Sequence, residues 1–521
     1  MGSVLNTKLE KLKAAKQESL LIDVMHGIEK EGLRVTPEGT LSQSNHPQGL
    51  GSALTNGVIT TDYSESLLEF ITPVYTDPLD AINHLTDLHH YTYKHLGDEV
   101  IWNTSMPCYL KSADDIRIGE YGSSNSGKMK HIYRVGLANR YGKIMQTIAG
   151  IHYNFSLSDT LWEELKSMDN DQRSLQSYRS DGYFSLIRNF RRQSWLLLYL
   201  FGASPALSSS FMQGKKNALQ QLNENTLYLP YATSLRMSDF GYSNKAQGSL
   251  AICFNYLDSY ANSLQSAIKT PFAAYQDIGV KVDGEYRQLN SNILQIENEY
   301  YSDIRPKRVV SSGEKPVEAL IDRGVEYIEV RNTDINPLLP VGIDHSQALF
   351  MDAFLLTCLL QADQEIDGVE CEQIDANNKL VVNQGRQPGL TLALGDKQVT
   401  LVDYASNILE QVMSVAVVMD EAQGATNYVD SVKLQQQKVS NSELTPSAIV
   451  LSELKASGLS FTQWSLNISQ KHRDDLLSKT LSSDVEKTLD LTVAQSIKQQ
   501  QEMEANDTVS FDQFLDDYMA S

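Results

Sequence analysis

The sequence predicts an α+β fold with a mainly antiparallel sheet surrounded by helices. Three observations support this: the strand-like segments alternate apolar and polar residues, they lack the regular strand–helix repeat of a doubly wound fold, and helical periodicity dominates from about residue 345 onward. We therefore expect a core at 1–345 and a mainly helical part at 346–521 that packs on this core. The pattern leaves open whether the helical part is a separate domain.

The elements follow in chain order. Residues 1–24 have the pattern of one amphipathic helix, and further helices are predicted at 81–98, 160–200 and 255–278. Alternation and β-branched or aromatic content predict strands at 26–35, 67–74, 148–157, 287–300 and 325–332. Long polar loops are expected at 36–57 and 223–248. After 345, segments such as MDAFLLTCLLQA and YASNILEQVMSVAVVMDEA continue as helices, and the Gln-rich runs beyond them are typical of solvated helix surface.

Composition excludes several classes of partner. The 65 acidic and 44 basic side chains give a net charge of −21, which repels nucleic acid and anionic membranes. The four cysteines are far apart without a C-x-x-C pair, so neither a zinc site nor a disulfide framework is indicated. The run WLLLYLFGA is far shorter than the about 20 residues that cross a bilayer, and the first residues lack a signal-peptide core. We expect a cytoplasmic protein.

One segment resembles a phosphate-binding P-loop. GSSNSGKM, within 121–142, fits G-x-x-x-x-G-K but places Met129 where the P-loop needs a hydroxyl for Mg²⁺. The preceding KSADDIRIGEY is too charged to be a buried parallel strand. We interpret the glycines and serines as a loop.

The strands carry acidic residues on one face. Glu29 and Glu31 are two residues apart and therefore share a strand face, and His152 lies on the polar face of GIHYNFSL. The whole set comprises Glu29, Glu31, Asp62, Glu69, His152 and Glu329, with Arg331 beside the last of them. A wet sheet face could carry these charges without a function. Carboxylates packed together repel one another unless cations lie between them, so the set favours two or more Mg²⁺ ions, with Mn²⁺ as a substitute.

Two smaller patterns are weaker indications. Arg305, Lys307 and Arg308 form a basic cluster in an acidic chain and are candidates for ATP phosphate contacts, although a solvated loop fits them equally well. Glu297 and Glu299 repeat the i, i+2 spacing on a predicted strand and could add a metal ligand.

Longer blocks of sequence carry a family resemblance. They include GIEKEGLRV, HPQGLGSALTNGVITTDYSESLLEFITPV, YGSSNSGKMKHIYRVGLANRYG, MQTIAGIHYNFSL, LYLPYATSLRMSDFGYSNK, LQIENEYY and GVEYIEVRNTDINP. They resemble the proteobacterial type of glutamate–cysteine ligase from about residue 20 to 345, and QQQEMEANDTVSFDQFL resembles it again further on. The resemblance implies a fold similar to the catalytic domain of glutamine synthetase, in which a curved antiparallel sheet forms a funnel around Mg²⁺ ions. It also implies the reaction of ATP, L-glutamate and L-cysteine to γ-glutamylcysteine, ADP and phosphate.

The resemblance assigns roles to individual residues. Its metal ligands fall on the six acidic and histidine positions given above. Its glutamate and phosphate contacts fall on Gln146, Arg236 and Arg331, of which the two arginines are the candidate catalytic residues. Its cysteine pocket falls on Tyr63, Tyr133, Arg134, Leu137 and Tyr242. Tyr63 stands where the family leads us to expect Phe, so it adds a hydroxyl to the pocket.

Two other functions fit part of the pattern. A ligase with the same glutamate activation but a different amine acceptor would share the sheet ligands and differ only in the pocket around Tyr63, Tyr133 and Tyr242. A regulatory protein that only binds metal or glutamate would be marked by loss of a ligand, and none of the six is missing. By resemblance we expect a monomer, with feedback inhibition by glutathione as a plausible control.

Overall fold

The structure is a computed structural model that describes residues 2–241, 250, 252–311 and 313–520. Its strands are β1 (Val24–Val35), β2 (Ile59–Thr61), β3 (Leu67–Ile71), β4 (Val100–Ile101), β5 (Ile151–Leu157), β6 (Ala206–Ser208), β7 (Gln220–Asn223), β8 (Thr226–Tyr228), β9 (Lys281–Val282), β10 (Glu285–Tyr286), β11 (Ile304–Lys307), β12 (Tyr327–Thr333), β13 (Thr391–Leu394) and β14 (Lys397–Thr400). Its helices are α1 (Gly2–Ala15), α2 (Pro78–Tyr93), α3 (Asn125–Tyr141), α4 (Asp159–Met168), α5 (Leu175–Phe201), α6 (Leu257–Lys269), α7 (Ala273–Ile278), α8 (Pro316–Arg323), α9 (His345–Leu360), α10 (Gly368–Gln384), α11 (Leu401–Gln423), α12 (Asn427–Ser440), α13 (Pro446–Ser457), α14 (Phe461–Leu477), α15 (Ser483–Asn506) and α16 (Phe511–Ala520).

The main sheet has the order β11-β12-β5-β1-β3-β2, and β4 pairs with the end of β1. Each of these pairings is antiparallel. On β5 the side chains of Ile151, Tyr153 and Phe155 are buried on one face, and the polar residues alternate with them on the other. The predicted α+β class with a mainly antiparallel sheet is therefore confirmed.

A buried polar network fixes the apolar side of this sheet to α9. His26 on β1 donates from Nε2 to Asp352 Oδ2 over 2.9 Å and lies 3.2 Å from the Tyr75 carbonyl through Nδ1. The Tyr153 hydroxyl donates to Asp352 Oδ1 over 2.8 Å. Burial alone would lower the pKa of His26, but the Asp352 carboxylate raises it. Two neighbouring strands and α9 thus share one charged hydrogen-bond centre.

The described helices after residue 345 contribute side chains to the apolar core. The helix α9 begins where the helical pattern was predicted to begin, and the apolar core includes residues from both sides of that position. The helix α11 is the one described helix that is long and apolar enough to cross a membrane, judged by length and composition alone. Its buried residues include Ile408, Leu409 and Val412, which belong to the same core, and a buried helix of this kind passes that test without spanning a membrane.

Several predicted elements were wrong. The predicted strand at 287–300 is a run of turns with a short 3₁₀ helix at Glu297–Glu299. Side chains here take backbone amides that a partner strand would bond: Gln295 Oε1 accepts from the Leu289 amide over 2.9 Å, and Glu299 Oε2 accepts from the Gln295 amide over 2.7 Å. The predicted helix at 160–200 divides into α4 and α5, with Asn170 in the left-handed region at φ 52°.

Two other predicted helices, at 1–24 and at 255–278, are shorter than predicted. The predicted helix at 1–24 ends at Ala15, and Lys16 has a φ of 57°, after which the chain enters a 3₁₀ turn and then β1. The predicted helix at 255–278 divides into α6 and α7 around Pro271, which cannot donate a helical hydrogen bond.

The glycine- and serine-rich stretch GSSNSGKM at 122–129, interpreted as a loop, enters the helix α3 at Asn125. Ser124 caps it, because its hydroxyl accepts from the Gly127 amide over 3.1 Å. The lysine of the P-loop-like motif, Lys128, is therefore inside a helix rather than at the end of a phosphate-binding loop. This outcome agrees with the rejection of a P-loop, although the loop interpretation itself was wrong for residues 125–129.

Candidate active site

Strand pairing brings the first three candidate ligands together. Glu29 on β1 lies opposite His152 on β5, and Glu329 on β12 lies opposite Asn154, the next residue on that face of β5. The His152 Nδ1 atom is 3.0 Å from Glu29 Oε2 and 3.7 Å from Glu329 Oε1. One ligand atom from each of Glu29, His152 and Glu329 lies within 4.8 Å of the others. This donor set of two carboxylates and one imidazole suits Mg²⁺ or Mn²⁺.

The other three candidates form a neighbouring group on β1, β3 and the β2–β3 turn. Glu31 lies opposite Glu69 across the β1–β3 pair, and Asp62 precedes β3. Burial raises the pKa of Glu31 and raises that of Glu69 well above its ordinary value, and the charge of Asp62 raises both further. Glu31 Oε1 is 3.9 Å from His152 Nε2, so His152 lies between the two groups. Closely packed acids of this kind are the arrangement that a bound cation stabilises.

Side chains along β1 alternate between the cavity and the opposite side of the sheet. Glu29 and Glu31 line one cavity, whereas Lys30 points to the opposite side of the sheet, where its Nζ is 2.9 Å from His89 Nε2. Burial lowers the pKa of Lys30 to about 7. Lys30 therefore adds no contact to the acidic group, as the period of two predicts.

The ionisation of the first group is set by nearby cations. Burial alone would raise the pKa of Glu329, but Arg331, Lys307 and His152 hold it well below its ordinary value. Arg331 Nη1 lies 3.0 Å from Glu329 Oε2, and Lys307 Nζ lies 3.3 Å from Glu329 Oε1. The pKa of Glu29 is also lowered, against the effect of burial, by its hydrogen bond with His152. These two carboxylates are therefore charged and available as ligands near neutral pH.

The two candidate catalytic arginines lie beside this group. Arg236 is buried, and its Nη2 donates to the Arg331 carbonyl over 2.8 Å. Its Nη1 lies 3.8 Å from Asp334 Oδ1. A Cβ at position 150 would lie 2.1 Å from Arg236 Nη2, so Gly150 is needed for the guanidinium to approach β5. The backbone amide of Gly150 also donates to Glu31 Oε2 over 2.7 Å, which orients that carboxylate.

Four of the five predicted cysteine-pocket residues line the same cavity of about 790 Å³ as the six candidate ligands. Three of them, Tyr133, Arg134 and Leu137, are on α3, and Tyr63 lies in the turn before β3. Arg134 is fixed by its Nε, which donates to the Asp62 carbonyl. Tyr242, the remaining predicted pocket residue, lies outside the described residues.

Gln146 lines the same cavity from a 3₁₀ turn before β5. Its Nε2 lies 3.1 Å from the Tyr301 hydroxyl, and both side chains face the cavity. A second cavity of about 520 Å³ shares His152, Tyr301 and Arg331 with the first, and Arg236 lines this second cavity alone. His152 and Arg331 therefore stand between two spaces that can receive substrate groups, and Arg236 faces the second of them.

The predicted basic cluster divides. Arg305 and Lys307 line the cavity, and Arg305 is buried, with its Nη2 donating to the Asn298 carbonyl over 3.2 Å. Arg308 points away: its Nη1 donates to the Arg323 carbonyl over 3.0 Å, and its Nε lies 3.4 Å from Glu326. The structure thus brings two of the three side chains to the acidic group.

Glu297 and Glu299 are not on a strand and do not line this cavity. The Glu299 carboxylate accepts from Arg140 Nη1 over 2.9 Å, from the Gln295 amide over 2.7 Å and from the Tyr141 hydroxyl. These contacts give Glu299 a structural role in the turns of 287–300.

Sequence analysis missed four residues of the site. Asn154 donates to Glu29 Oε1 over 2.9 Å, and its position on the His152 face of β5 was the available signal. Lys130 faces the second acidic group, and burial lowers its pKa to about 8; the i, i+4 spacing to Arg134 would have revealed it if α3 had been predicted. Phe514 and Tyr518 also line the cavity from α16, about 180 residues after Arg331 in the sequence. No local pattern indicates that they reach it.

Comparison with known proteins gives consistent matches over the whole chain. The family model described as glutamate-cysteine ligase matches residues 9–381. The glutamate–cysteine ligases of Pseudomonas putida and Pseudomonas fluorescens are each 50% identical to the chain over 521 residues, which span all of this chain and 99% and 98% of those proteins.

Two solved structures share the fold. The crystal structure of a Francisella tularensis glutamate–cysteine ligase in complex with AMP aligns with a TM-score of 0.90 at 41% identity, over 96% of this chain and 98% of that one. A bifunctional glutathione synthetase from Pasteurella multocida aligns with a TM-score of 0.75 at 25% identity, over 93% of this chain and 58% of that one. The similarity therefore extends over sequence and fold together.

Proposed function

The chain belongs to the glutamate–cysteine ligase family, and we propose on that basis that it uses ATP to join the γ-carboxylate of L-glutamate to the amine of L-cysteine. The products are γ-glutamylcysteine, ADP and phosphate, and the reaction is the first step of glutathione synthesis. The observation that supports this most directly is the cluster of Glu29, His152 and Glu329 beside Arg331, in a cavity large enough for several substrates.

The reaction requires a leaving group on glutamate, because a carboxylate does not react with an amine to give an amide. A γ-carboxylate oxygen attacks the γ-phosphorus of ATP, the bond to ADP breaks, and γ-glutamyl phosphate forms. The cysteine amine then attacks the acyl carbon, phosphate leaves with that carboxylate oxygen, and the amine loses a proton. Positioning and electrostatic stabilisation supply most of the rate enhancement in a phosphoryl transfer.

The chain's own residues have distinct tasks in this scheme. Arg331, whose Nη1 lies 3.0 Å from Glu329 Oε2, points its positively charged guanidinium at the transferring phosphoryl oxygens. Arg236 is buried next to it, and its guanidinium fork suits a substrate carboxylate or the phosphoryl group. Lys307 and Arg305 contact the ATP phosphates from β11. Gln146, together with the two arginines, binds glutamate.

The metal site fits Mg²⁺, because its donors are carboxylate oxygens and one imidazole on a single sheet face. We propose that Glu29, Glu31, Asp62, Glu69, His152 and Glu329 together hold two or more Mg²⁺ ions, with Mn²⁺ as a substitute. When bound, such ions neutralise phosphate charge and align the phosphoryl group for transfer.

We further propose a cytoplasmic monomer that is inhibited by its pathway's end product, glutathione, with 346–521 as a helical layer on the catalytic core. These proposals rest on the family resemblance, on the apolar core shared by both parts and on the acidic composition. Light scattering that gives the mass of two chains would contradict the monomer. An unchanged rate of ADP release at millimolar glutathione would contradict the feedback inhibition.

The dependence of ADP release on the amine acceptor tests the proposed activity. We expect ADP release from MgATP and glutamate to depend strongly on cysteine, to be weaker with 2-aminobutyrate, and to be negligible with ammonia or glycine. Near-isosteres are separated only modestly, because small apolar differences in a pocket give about 10- to 200-fold discrimination. ADP release with ammonia but not with cysteine would mean that the chain activates glutamate but transfers it to a different amine acceptor. No release with any amine would contradict the ligase function.

The hydroxyl of Tyr63 gives a test of the cysteine pocket. It is buried and has no hydrogen-bond partner among the described residues, and burial raises the pKa of Tyr63. We expect Tyr63→Phe to increase the free energy of unfolding by about 1 kcal/mol, because it removes an unpaired buried polar group. We expect KM for cysteine to change by less than about threefold. A tenfold increase in KM for cysteine would show instead that this hydroxyl bonds to the bound substrate.

A further inference from the structure

The helix α16 crosses the rim of the catalytic cavity. Before it begins, the chain is tied to the start of α3, because Asn125 Nδ2 donates to the Val509 carbonyl over 3.0 Å and the Asn125 amide donates to Asp507. Towards its other end, the ring of Tyr518 lies 5.5 Å from Lys315 Nζ, just before α8. The helix therefore spans from α3, on one side of the cavity, to the start of α8, on the other.

One face of α16 is turned inward. Phe514 and Tyr518 are four residues apart, share that face and line the cavity, and Leu515 beside them is buried. The opposite face carries exposed acids, of which Asp512 anchors the helix to the β9–β10 hairpin: its Oδ1 lies 2.9 Å from Lys281 Nζ and 2.5 Å from the Tyr286 hydroxyl. The two inward rings are thus held by contacts outside the cavity.

Apolar side chains line the same cavity on the segment that leads to α8. They include Val310 and Pro316, and Pro316 follows Lys315, whose Nζ lies 5.5 Å from the Tyr518 ring. Lys307, which is 3.3 Å from Glu329, lies three residues before Val310, so their Cα atoms are at most about 10 Å apart. Followed along the chain from Lys307 beside the acidic group to Pro316, the lining thus changes from a lysine to apolar residues, and the aromatic Tyr518 lies at the Pro316 end. ATP has the matching order of phosphates, ribose and a flat apolar base.

We propose that Phe514 and Tyr518 form the surface on which the adenine of ATP stacks, so that α16 supplies part of the nucleotide site. This inference rests on the proposed function, which places the phosphates beside the metal group and Lys307. Aromatic side chains bind nucleobases through stacking, which is tolerant of base identity and independent of the phosphates. The role is thus one of binding and positioning, and Phe514 and Tyr518 do not take part in the chemistry.

The test compares a ligand that has the base with one that lacks it. Isothermal titration of the full chain with MgADP and with magnesium tripolyphosphate, without amino acids, measures the base contribution directly. We expect Phe514→Ala and Tyr518→Ala each to weaken ADP binding by about 10- to 100-fold, the range for loss of a stacked base, and to change tripolyphosphate binding by less than twofold. Phe514→Trp should retain ADP binding. In turnover, KM for ATP should rise while KM for cysteine remains constant.

The matched control is Asp516→Asn, on the exposed face of the same helix, which should leave both affinities unchanged. Equal weakening of ADP and tripolyphosphate would overturn the inference, because it would mean that α16 supports the phosphate region or the fold. Unchanged ADP affinity in both alanine variants would also overturn it. Because no amino acid is present, these outcomes are independent of the acceptor experiment, so failure of the proposed ligase reaction would be recognised separately.

Discussion

Replacing Glu329 with Gln should lower the turnover number by about 100- to 1000-fold while the fold is retained, the range for loss of one preorganised electrostatic group. The carboxylate of Glu329 is buried, and its pKa is held well below the ordinary value mainly by Arg331 and Lys307, so it is charged when the enzyme works. Gln has the same shape but donates through one of its two positions and carries no charge. A divalent cation at the Glu29–His152–Glu329 group would therefore lose an anionic ligand.

Three measurements on the Glu329 variant separate metal loss from misfolding. Turnover is measured as ADP release, Mn²⁺ affinity by paramagnetic resonance titration, and folding by circular dichroism and urea unfolding. The matched control is Glu326→Gln, a carboxylate three residues earlier, 41% exposed and outside the cavity lining, which should keep turnover within twofold. Near-normal turnover of Glu329→Gln would remove this residue from the metal site.

The shared face of the candidate ligands on the strands could be predicted because it depends on the simplest rule of strand geometry. Side chains two residues apart share a face, so Glu29 and Glu31 had to point together once β1 was recognised, and Lys30 had to point away. The same rule placed His152 on the polar face of β5. The register that sets Glu29 opposite His152 follows from burying the apolar face of both strands, since a shift by one residue would expose it.

The rest of the site depends on contacts that no local pattern encodes. The turns at 287–300 have strand-like residues, but some of their backbone amides bond to the side chains of Gln295 and Glu299 rather than to a neighbouring strand. The capping of α3 by Ser124 was hidden within a glycine- and serine-rich stretch that is typical of loops. Phe514 lines the cavity from α16, which is held in place by contacts far apart in sequence, among them the bonds of residues 507–509 to Asn125. Motif recognition identified the block around Phe514 as part of the family, without indicating what it contacts.

The buried network of His26, Tyr153 and Asp352 on the apolar side of the sheet should be as important for stability as Glu329 is for turnover. Asp352→Ala should lower the free energy of unfolding by about 3–5 kcal/mol, the usual cost of breaking a buried charge pair by removing one partner. His26 and Tyr153 would each lose a hydrogen bond, of 2.9 Å and 2.8 Å, in a region with no exposed surface. Asp352→Asn, which keeps the shape, should cost less. Urea unfolding at pH 6 measures both, and Asp474→Ala, at a carboxylate that is 65% exposed, should change stability by less than about 0.5 kcal/mol.

The pH dependence of the stability difference between the native chain and Asp352→Ala shows whether Asp352 acts through a charged His26. The folded-state pKa of His26 is raised above its ordinary value of 6.5 by Asp352, against the effect of burial, so the unfolded chain releases this proton at a lower pH than the folded one. The stabilisation from the His26–Asp352 pair is therefore fully present below about pH 6.5 and is lost as the pH rises through the folded-state pKa. The stability difference between the native chain and Asp352→Ala should accordingly shrink as the pH increases from 6 to 9. A difference that stays constant over this range would mean that His26 is neutral in the folded chain, and that Asp352 stabilises the sheet through the Tyr153 hydrogen bond and packing rather than through an ion pair.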